Sequence, residues 1–272
     1  MIFAAILAGG AGNRMGEVDK PKQFLKLGDK PIIIQTVEKF SLNSKIDQII
    51  VLCHKYWLNH TKDLINQYFP NSTNIVVIEG GELRNDTIMN AIHYIEENYE
   101  IDEDDIIITH DSVRPFLTHR IIMENIEKTL EVGACDTVIP ATDTIVVSED
   151  NGIISNIPNR NCMYQGQTPQ TFRILKLKEC YEKLSDEDKK YLTDAAKILI
   201  LNGEEVAIVK GEVFNIKITY PYDLKVANSI IKDAKLNVSD AESGEQTVNL
   251  YDFSTDRLIV LLKDSIYLIQ HE

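Results

Sequence analysis

At 272 residues the chain has the length for one large domain, or one domain with an appendage, around a sizeable core. Hydrophobic residues at 44% and charged residues at 26% are those of an ordinary globular protein, and no apolar run approaches the roughly 18 residues that a membrane span needs. A net charge of −14 argues against nucleic acid as a partner, so positive groups that meet an anion must be gathered locally.

Ile2 to Leu7 is a short apolar run that reads as a buried first strand. It has no basic segment before it and is too short for a signal peptide's apolar region, so a cytoplasmic protein with no membrane partner is expected. The strand runs into Gly9, Gly10 and Gly12, followed by Arg14, Pro21, Lys22 and Gln23. Without a Cβ these glycines allow positive φ and close approach of backbone N–H groups to a phosphate; Arg14 and Lys22 add fixed positive charge. Spacing excludes two common phosphate loops. The third glycine of a dinucleotide GxGxxG falls on Met15, and Gly16 is followed by Glu17, not by the lysine of a Walker loop. An ordinary strand-to-helix turn with solvated cations is the bland alternative.

Further along, apolar runs alternate with helical patterns, the signature of βα units around a mostly parallel sheet. Asp29 and Pro31 mark a helix start, with the helix reaching about Leu42. Strands are expected at Gln48 to Leu52 and Asn74 to Ile78, with a helix from Trp57 to Tyr68 between them. Gly80 and Gly81 then open a helix carrying Ile88, Ile92 and Ile95 on one face, where free N–H groups can meet an acceptor such as a pyrimidine carbonyl. A plain capped helix explains Asn85 and Asp86 equally well.

The fourth strand, Asp105 to Thr109, leads into His110 and Asp111. Ligands of an open parallel sheet gather beyond the carboxyl ends of its strands, so Asp111 shares a rim with the first glycine turn. A carboxylate beside a triphosphate calls for a divalent cation between them, which makes Asp111 the metal candidate, with Mg²⁺ the usual ion; pairing with Arg114 is the competing role. A helix from Thr118 to about Glu131 and a strand from Cys135 to Pro140 follow, and then two β-prone runs, Asp143 to Val147 and Gly152 to Ile157, around the hairpin signal Asn151-Gly152. Helices are expected from Arg173 to about Leu184 and from Ser185 or Asp186 to about Leu201, a strand from Glu205 to Lys210, and Lys217 near a strand end. From about Lys235 the chain reads as a polar linker ending in two apolar strands after Asn249. Cys53, Cys135, Cys162 and Cys180 lack metal or redox spacing and read as free thiols.

Five segments, at residues 7–24, 80–87, 110–115, 164–172 and 215–224, resemble in order the motifs of cytidylyltransferases that activate sugar-alcohol phosphates with CTP. These are LAGGxGxRM with PKQ, a GGxxRxxS-like turn with Thr87 for serine, HDAARP with Ser112 and Val113 for the alanines, TPQ-x-F, and NIKVTxPxDL. The resemblance covers about residues 1–234, leaving 235–272 as an extension of unknown role. It implies a Rossmann-like α/β nucleotidyltransferase with a protruding β-arm at about 142–163; the short C-terminal β extension is read from the apolar runs after Asn249 alone. It also implies catalytic Arg14, Lys22 and Lys217. CTP would be bound by Leu7, Ala8, Gly9, Gly10, Gly12, Gly81, Glu82, Arg84, Thr87, Asp111 and Ser112. The acceptor would be held by Thr168 and Thr193, with Thr144 and Arg160 reaching from the arm of a second subunit in a homodimer. Segments 84–90, 113–120 and 164–168 look more like ribitol-5-phosphate enzymes, which supply CDP-ribitol for wall teichoic acid, than like the methylerythritol-phosphate branch of isoprenoid synthesis. A non-catalytic nucleotide sensor and, more remotely, a nicotinamide oxidoreductase are the rivals from other classes.

Overall fold

The computed structural model describes residues 1–10, 15, 20–192 and 194–239 and the strands 248–252, 257–262 and 265–269, with side chains through residue 232. Its centre is a seven-stranded sheet built from β1 (Ile2–Ala8), β4 (Gln48–Cys53), β5 (Ile75–Glu79), β6 (Ile106–Asp111), β7 (Ala134–Pro140), β8 (Tyr164–Arg173) and β9 (Ala207–Lys210). The order is β5-β4-β1-β6-β8-β7-β9, and β8 alone runs against its neighbours. The mostly parallel α/β sheet that the sequence predicts is therefore the observed one.

Alternation along β1 explains why both faces are covered. Phe3 and Ala5 point into a core shared with α3 (Arg84–Asn98), α5 (Ile174–Glu182) and α7 (Ala196–Leu201). Ala4 and Ile6 point into a second core with α1 (Ile32–Ser41), α2 (Leu58–Tyr68) and α4 (His119–Val132). Strands buried on both faces read as continuous apolar runs, as β1, β4 and β6 do. Ile88, Ile92 and Ile95 lie on one buried face of α3, as their spacing predicts. Thr118 caps α4, its Oγ1 accepting from Ile121 N at 3.3 Å.

The chain visits β4 and β5 on one side of β1 and then crosses to β6 on the other. Leu7 is in register with Asp111, and the carboxyl ends of β1 and β6 open onto a topological switch point, the usual ligand position in such sheets.

Several expectations are corrected. Asp29 does not cap α1; it lies in the turn of a small hairpin, β2 (Lys26–Leu27) with β3 (Lys30–Pro31), where Gly28 has φ 63°, and Pro31 precedes the helix. The helix expected from Ser185 to Leu201 breaks into α6 (Asp186–Lys190) and α7, because the Asp194 carboxylate turns back to accept from Ala196 N at 2.8 Å. Lys217 lies in an irregular segment, not at a strand end. The last helix, α8 (Pro221–Ser239), continues past the Lys235 boundary; residues 240–247 of the expected linker lie outside the described residues. The tail holds three antiparallel strands instead of two: β10 (Val248–Asp252), β11 (Arg257–Leu262) and β12 (Ser265–Ile269).

The arm at 142–163 has less ladder than its β-prone runs suggest. A single bridge joins Val147 to Asn156, and the turn is held by Asp150 Oδ1, which accepts from Gly152 N and Ile153 N at 2.9 Å each. Asn151 there has φ 60°, the left-handed conformation its Asn-Gly pair anticipates. The two sides of the arm are joined by a few backbone bonds, Val147 N to Asn156 O and Ser155 N to Val147 O at 2.8 Å each, and Ala141 N to Met163 O at 2.9 Å.

Candidate active site

A cleft of about 230 Å³ opens at the switch point, walled by Gly9, Gly10, Lys22, Gly81, Arg84 and Asp111, with Leu7, Gln23, Glu82, Leu83, Thr87, Ser112, Val113 and Lys217 completing it. Four separated segments of the chain therefore meet in one place. Gln23 shows how the first is held: its Nε2 donates to Ala8 O at 2.8 Å and to Gly10 O at 3.3 Å, tying the 3-10 turn Lys22–Phe24 to the glycine loop. That turn buries Lys22 to 7% exposure at the cleft wall.

At Gly9 and Gly10 the expected positive φ is not found. Neither Gly9 nor Gly10 is left-handed, and a Cβ on Gly10 would meet nothing within 4 Å. What these glycines leave open is space in the cleft. At Gly81 the constraint is steric, since a Cβ would stand 2.4 Å from Asp86 Cβ. Thr87 fastens this second turn, its Oγ1 accepting from Gly81 N and donating to Leu83 O, each at 3.0 Å.

Asp111 is the electrostatic centre. Lys217 Nζ stands 2.9 Å from its Oδ2, Arg114 Nε 3.4 Å from the same oxygen, and Arg84 Nε 3.8 Å from Oδ1. Burial works against ionisation of this carboxyl, but the charges of Lys217, Arg84 and Arg114 outweigh it and hold the group well below the usual carboxylate range. The pairing with Arg114 that competed with a metal role is thus present. Arg114 is fixed in turn by donating to Asn215 O at 2.8 Å, and Asn215 donates to Thr168 O at 3.0 Å.

Behind Asp111 runs a buried chain of hydrogen bonds. Asp111 N donates to Thr168 Oγ1 at 3.2 Å, and that hydroxyl faces His110 Nδ1 at 3.0 Å. His110 Nε2 lies 3.0 Å from Arg114 O, and a carbonyl only accepts, so Nε2 carries the proton and Nδ1 accepts from Thr168. Burial pushes the imidazole pKa down to about 4, matching this neutral form.

The structure thus brings Leu7, Gly9, Gly10, Lys22, Gly81, Glu82, Arg84, Thr87, Asp111, Ser112 and Lys217 to one cleft. Ala8 lies at the end of β1 beside it, and Thr168 is reached through Asp111. Thr144 and Arg160 do not line this chain's cleft; they are exposed on the arm, where Arg160 Nη1 donates to Thr142 O at 3.1 Å. Gly12, Arg14 and Thr193 lie outside the described residues. Cys53, Cys135 and Cys180 are buried and Cys162 is exposed, all as free thiols, and burial pushes Cys135 up to about 12. Asp136 escaped notice in the sequence, although a carboxylate inside the apolar run Ala134–Pro140 was its signal. Among the described residues no helix is long and apolar enough to cross a membrane.

The fold is that of Rossmann-like nucleotidyltransferases. The chain is 30% identical to 2-C-methyl-D-erythritol 4-phosphate cytidylyltransferase of Francisella tularensis over 84% of this chain and 98% of that one, with a TM-score of 0.70. It is 26% identical to 4-diphosphocytidyl-2C-methyl-D-erythritol synthase of Anaerococcus prevotii, over 85% and 96%, again with a TM-score of 0.70. The Thermus thermophilus cytidylyltransferase, at 23% identity over 85% and 100% and a TM-score of 0.65, shares the fold. A sequence model of the 2-C-methyl-D-erythritol 4-phosphate cytidylyltransferase (IspD) family matches residues 2–233, and the chain belongs to that family. It is a CTP-dependent nucleotidyltransferase.

Enzymes of this family are generally dependent on a divalent metal. Among the described residues no three or more His, Cys, Asp or Glu side chains gather as a metal cluster. The donors in the cleft are the Asp111 carboxylate and, at its wall, Glu82. Such a sparse set of hard oxygens fits Mg²⁺ held largely by phosphate oxygens.

Proposed function

We propose that this cleft binds CTP and transfers its cytidylyl group to D-ribitol 5-phosphate, releasing pyrophosphate and giving CDP-ribitol. The observation that carries the reading is the convergence of Lys22, Arg84 and Lys217 with two glycine turns around one cleft. Gly9 and Gly10 leave room for the triphosphate, and the Gly81 turn offers backbone groups to the cytosine. A phosphate oxygen of the acceptor attacks the α-phosphorus in line with the departing pyrophosphate, so catalysis is chiefly positioning and charge stabilisation. Lys22 and Lys217, with Arg14, meet the negative charge that builds at the α-phosphorus. Asp111, together with phosphate oxygens, would hold the divalent cation, whose chemistry is to neutralise the triphosphate.

The ribitol acceptor is supported by the likeness of segments 84–90, 113–120 and 164–168 to ribitol-5-phosphate enzymes, and places the product in cell-wall teichoic acid synthesis. Thr168 and Thr193 hold the acceptor. Thr144 and Arg160 serve the pocket of a second subunit, which accounts for a polar and apolar arm exposed away from its own cleft: Val146, Ile153, Ile154 and Ile157 are 49%, 73%, 56% and 58% exposed.

The test is pyrophosphate release by Lys22→Ala. Loss of one charge-stabilising group costs about 3 kcal/mol, on the order of a hundredfold in rate. Turnover equal to that of the unaltered protein removes the assignment.

A further inference from the structure

Arg84 reaches the cleft from the first turn of α3, and its guanidinium is held there from behind the wall. Its contact with Asp111 is long, Nε to Oδ1 at 3.8 Å, and among the described residues its one hydrogen bond is Nη2 to Gln170 Oε1, at 3.2 Å. Gln170 is fully buried in β8 and does not line the cleft. The two ends of its amide have the same shape, so neighbouring donors and acceptors set which end faces Arg84. Asp194 decides the matter. Gln170 Nε2 donates to both carboxylate oxygens of Asp194, at 2.8 Å each, and a carboxylate only accepts, so the amide nitrogen turns to Asp194 and the oxygen to Arg84. Asp194 is fixed in turn by its Oδ1, which accepts from Ala196 N at 2.8 Å where α7 begins.

Hydrogen-bond polarity therefore runs in one direction, from Asp194 through Gln170 to Arg84. We propose, on the CTP-binding reading of the cleft on which this depends, that Asp194 and Gln170 are positioning residues for nucleotide binding: the carboxylate sets the direction of the Gln170 amide, and the amide oxygen holds the Arg84 guanidinium at the cleft wall. A reversed amide presents Nε2 to Nη2, two buried donors with no acceptor between them, and drives the guanidinium from its place. Asp136, opposite Gln170 in the β7–β8 ladder, faces the same amide. Burial, and then the charge of Asp194, push its pKa up to about 7, so below that pH it brings no second full negative charge to Gln170.

The experiment exchanges this polarity with isosteric substitutions, read by calorimetric binding of CTP with Mg²⁺ at pH 6.5, where Asp136 is mostly protonated, and well below each variant's melting temperature. Asp194→Asn keeps an oxygen for Ala196 N but sets an amide nitrogen against Gln170, whose amide then turns; binding is expected to weaken about tenfold. Adding Gln170→Glu to Asp194→Asn gives the new amide a partner and returns an acceptor to Arg84, with net charge unchanged. Affinity is then expected within about threefold of the unaltered protein. In an Arg84→Ala background Asp194→Asn is expected to alter affinity less than twofold. A merely structural role for the pair lowers the melting temperature of Asp194→Asn and leaves the affinity of the folded protein unchanged. That result overturns the proposal, as does a tenfold loss that Gln170→Glu does not recover or that persists without Arg84. If Asp194→Asn fails to fold, Gln170→Met keeps the side-chain length and removes the acceptor; a tenfold loss is expected, and unchanged affinity overturns the proposal in the same way. The functional reading stands in each of these cases, whereas failure of the unaltered protein to bind CTP overturns both.

Discussion

Lys217 and Asp111 form a close ion pair in the cleft, Nζ to Oδ2 at 2.9 Å, joining the irregular segment before α8 to the end of β6. The Lys217 side chain is 38% exposed and that of Asp111 only 11%. The carboxylate is therefore the buried anchor, and the ammonium is the partner free to turn toward a phosphate. Different consequences follow for the two residues. Asp111→Asn leaves Arg84 and Arg114 without their counter-charge, and breaking a buried pair in this way costs about 3–5 kcal/mol. A marked drop in melting temperature at pH 7 is expected. Lys217→Ala leaves Arg84 and Arg114 in place, so the melting temperature moves little while turnover falls on the order of a hundredfold. Equal thermal losses with full turnover in both variants would contradict this division.

His110 predicts acid sensitivity. Its folded pKa of about 4 lies below the ordinary 6.5, so the unfolded chain binds the proton more readily. The stability held by neutral His110 is complete above about pH 6.5 and is lost as pH falls from there toward 4, up to roughly 3 kcal/mol. Melting temperature measured from pH 7 to pH 5 should decline in the unaltered protein and decline less in His110→Gln. Parallel curves would show that this imidazole is not responsible.

The arm permits a complementation test. Lys22 works in its own subunit's cleft, whereas Arg160 is assigned to its neighbour's. Mixing Lys22→Ala and Arg160→Ala proteins after partial denaturation and reassembly yields hybrid dimers with one intact site, and turnover should recover to about a quarter of normal. No recovery above the separate variants would place Arg160 in its own subunit's site or outside the reaction.

Much of this arrangement was legible in the sequence because it rests on local signals. β1, β4 and β6 are apolar runs bounded by turns, and Ile88, Ile92 and Ile95 repeat at helical spacing. Lys22, Asp111 and Lys217 followed from motifs at the ends of such elements. What escaped depends on partners distant in the chain. β8 carries Gln167, Thr168, Gln170 and Thr171, all buried, yet its polar residues hide a central strand; Thr171 is satisfied by Asn125 Oδ1 at 3.0 Å and Gln167 by Glu212 O at 2.8 Å. Gln170 meets Arg84 Nη2, at 3.2 Å, only because α3 packs on the sheet. The break between α6 and α7 depends on Asp194 turning to Gln170, which no helical period announces.

The account stands or falls most directly on the acceptor. Pyrophosphate release from CTP and Mg²⁺ is to be measured in parallel with D-ribitol 5-phosphate and with 2-C-methyl-D-erythritol 4-phosphate at equal concentrations. The account predicts a kcat/KM at least tenfold higher with ribitol 5-phosphate, about 1.4 kcal/mol of transition-state preference. Faster release with methylerythritol phosphate, or none with ribitol 5-phosphate, would contradict it.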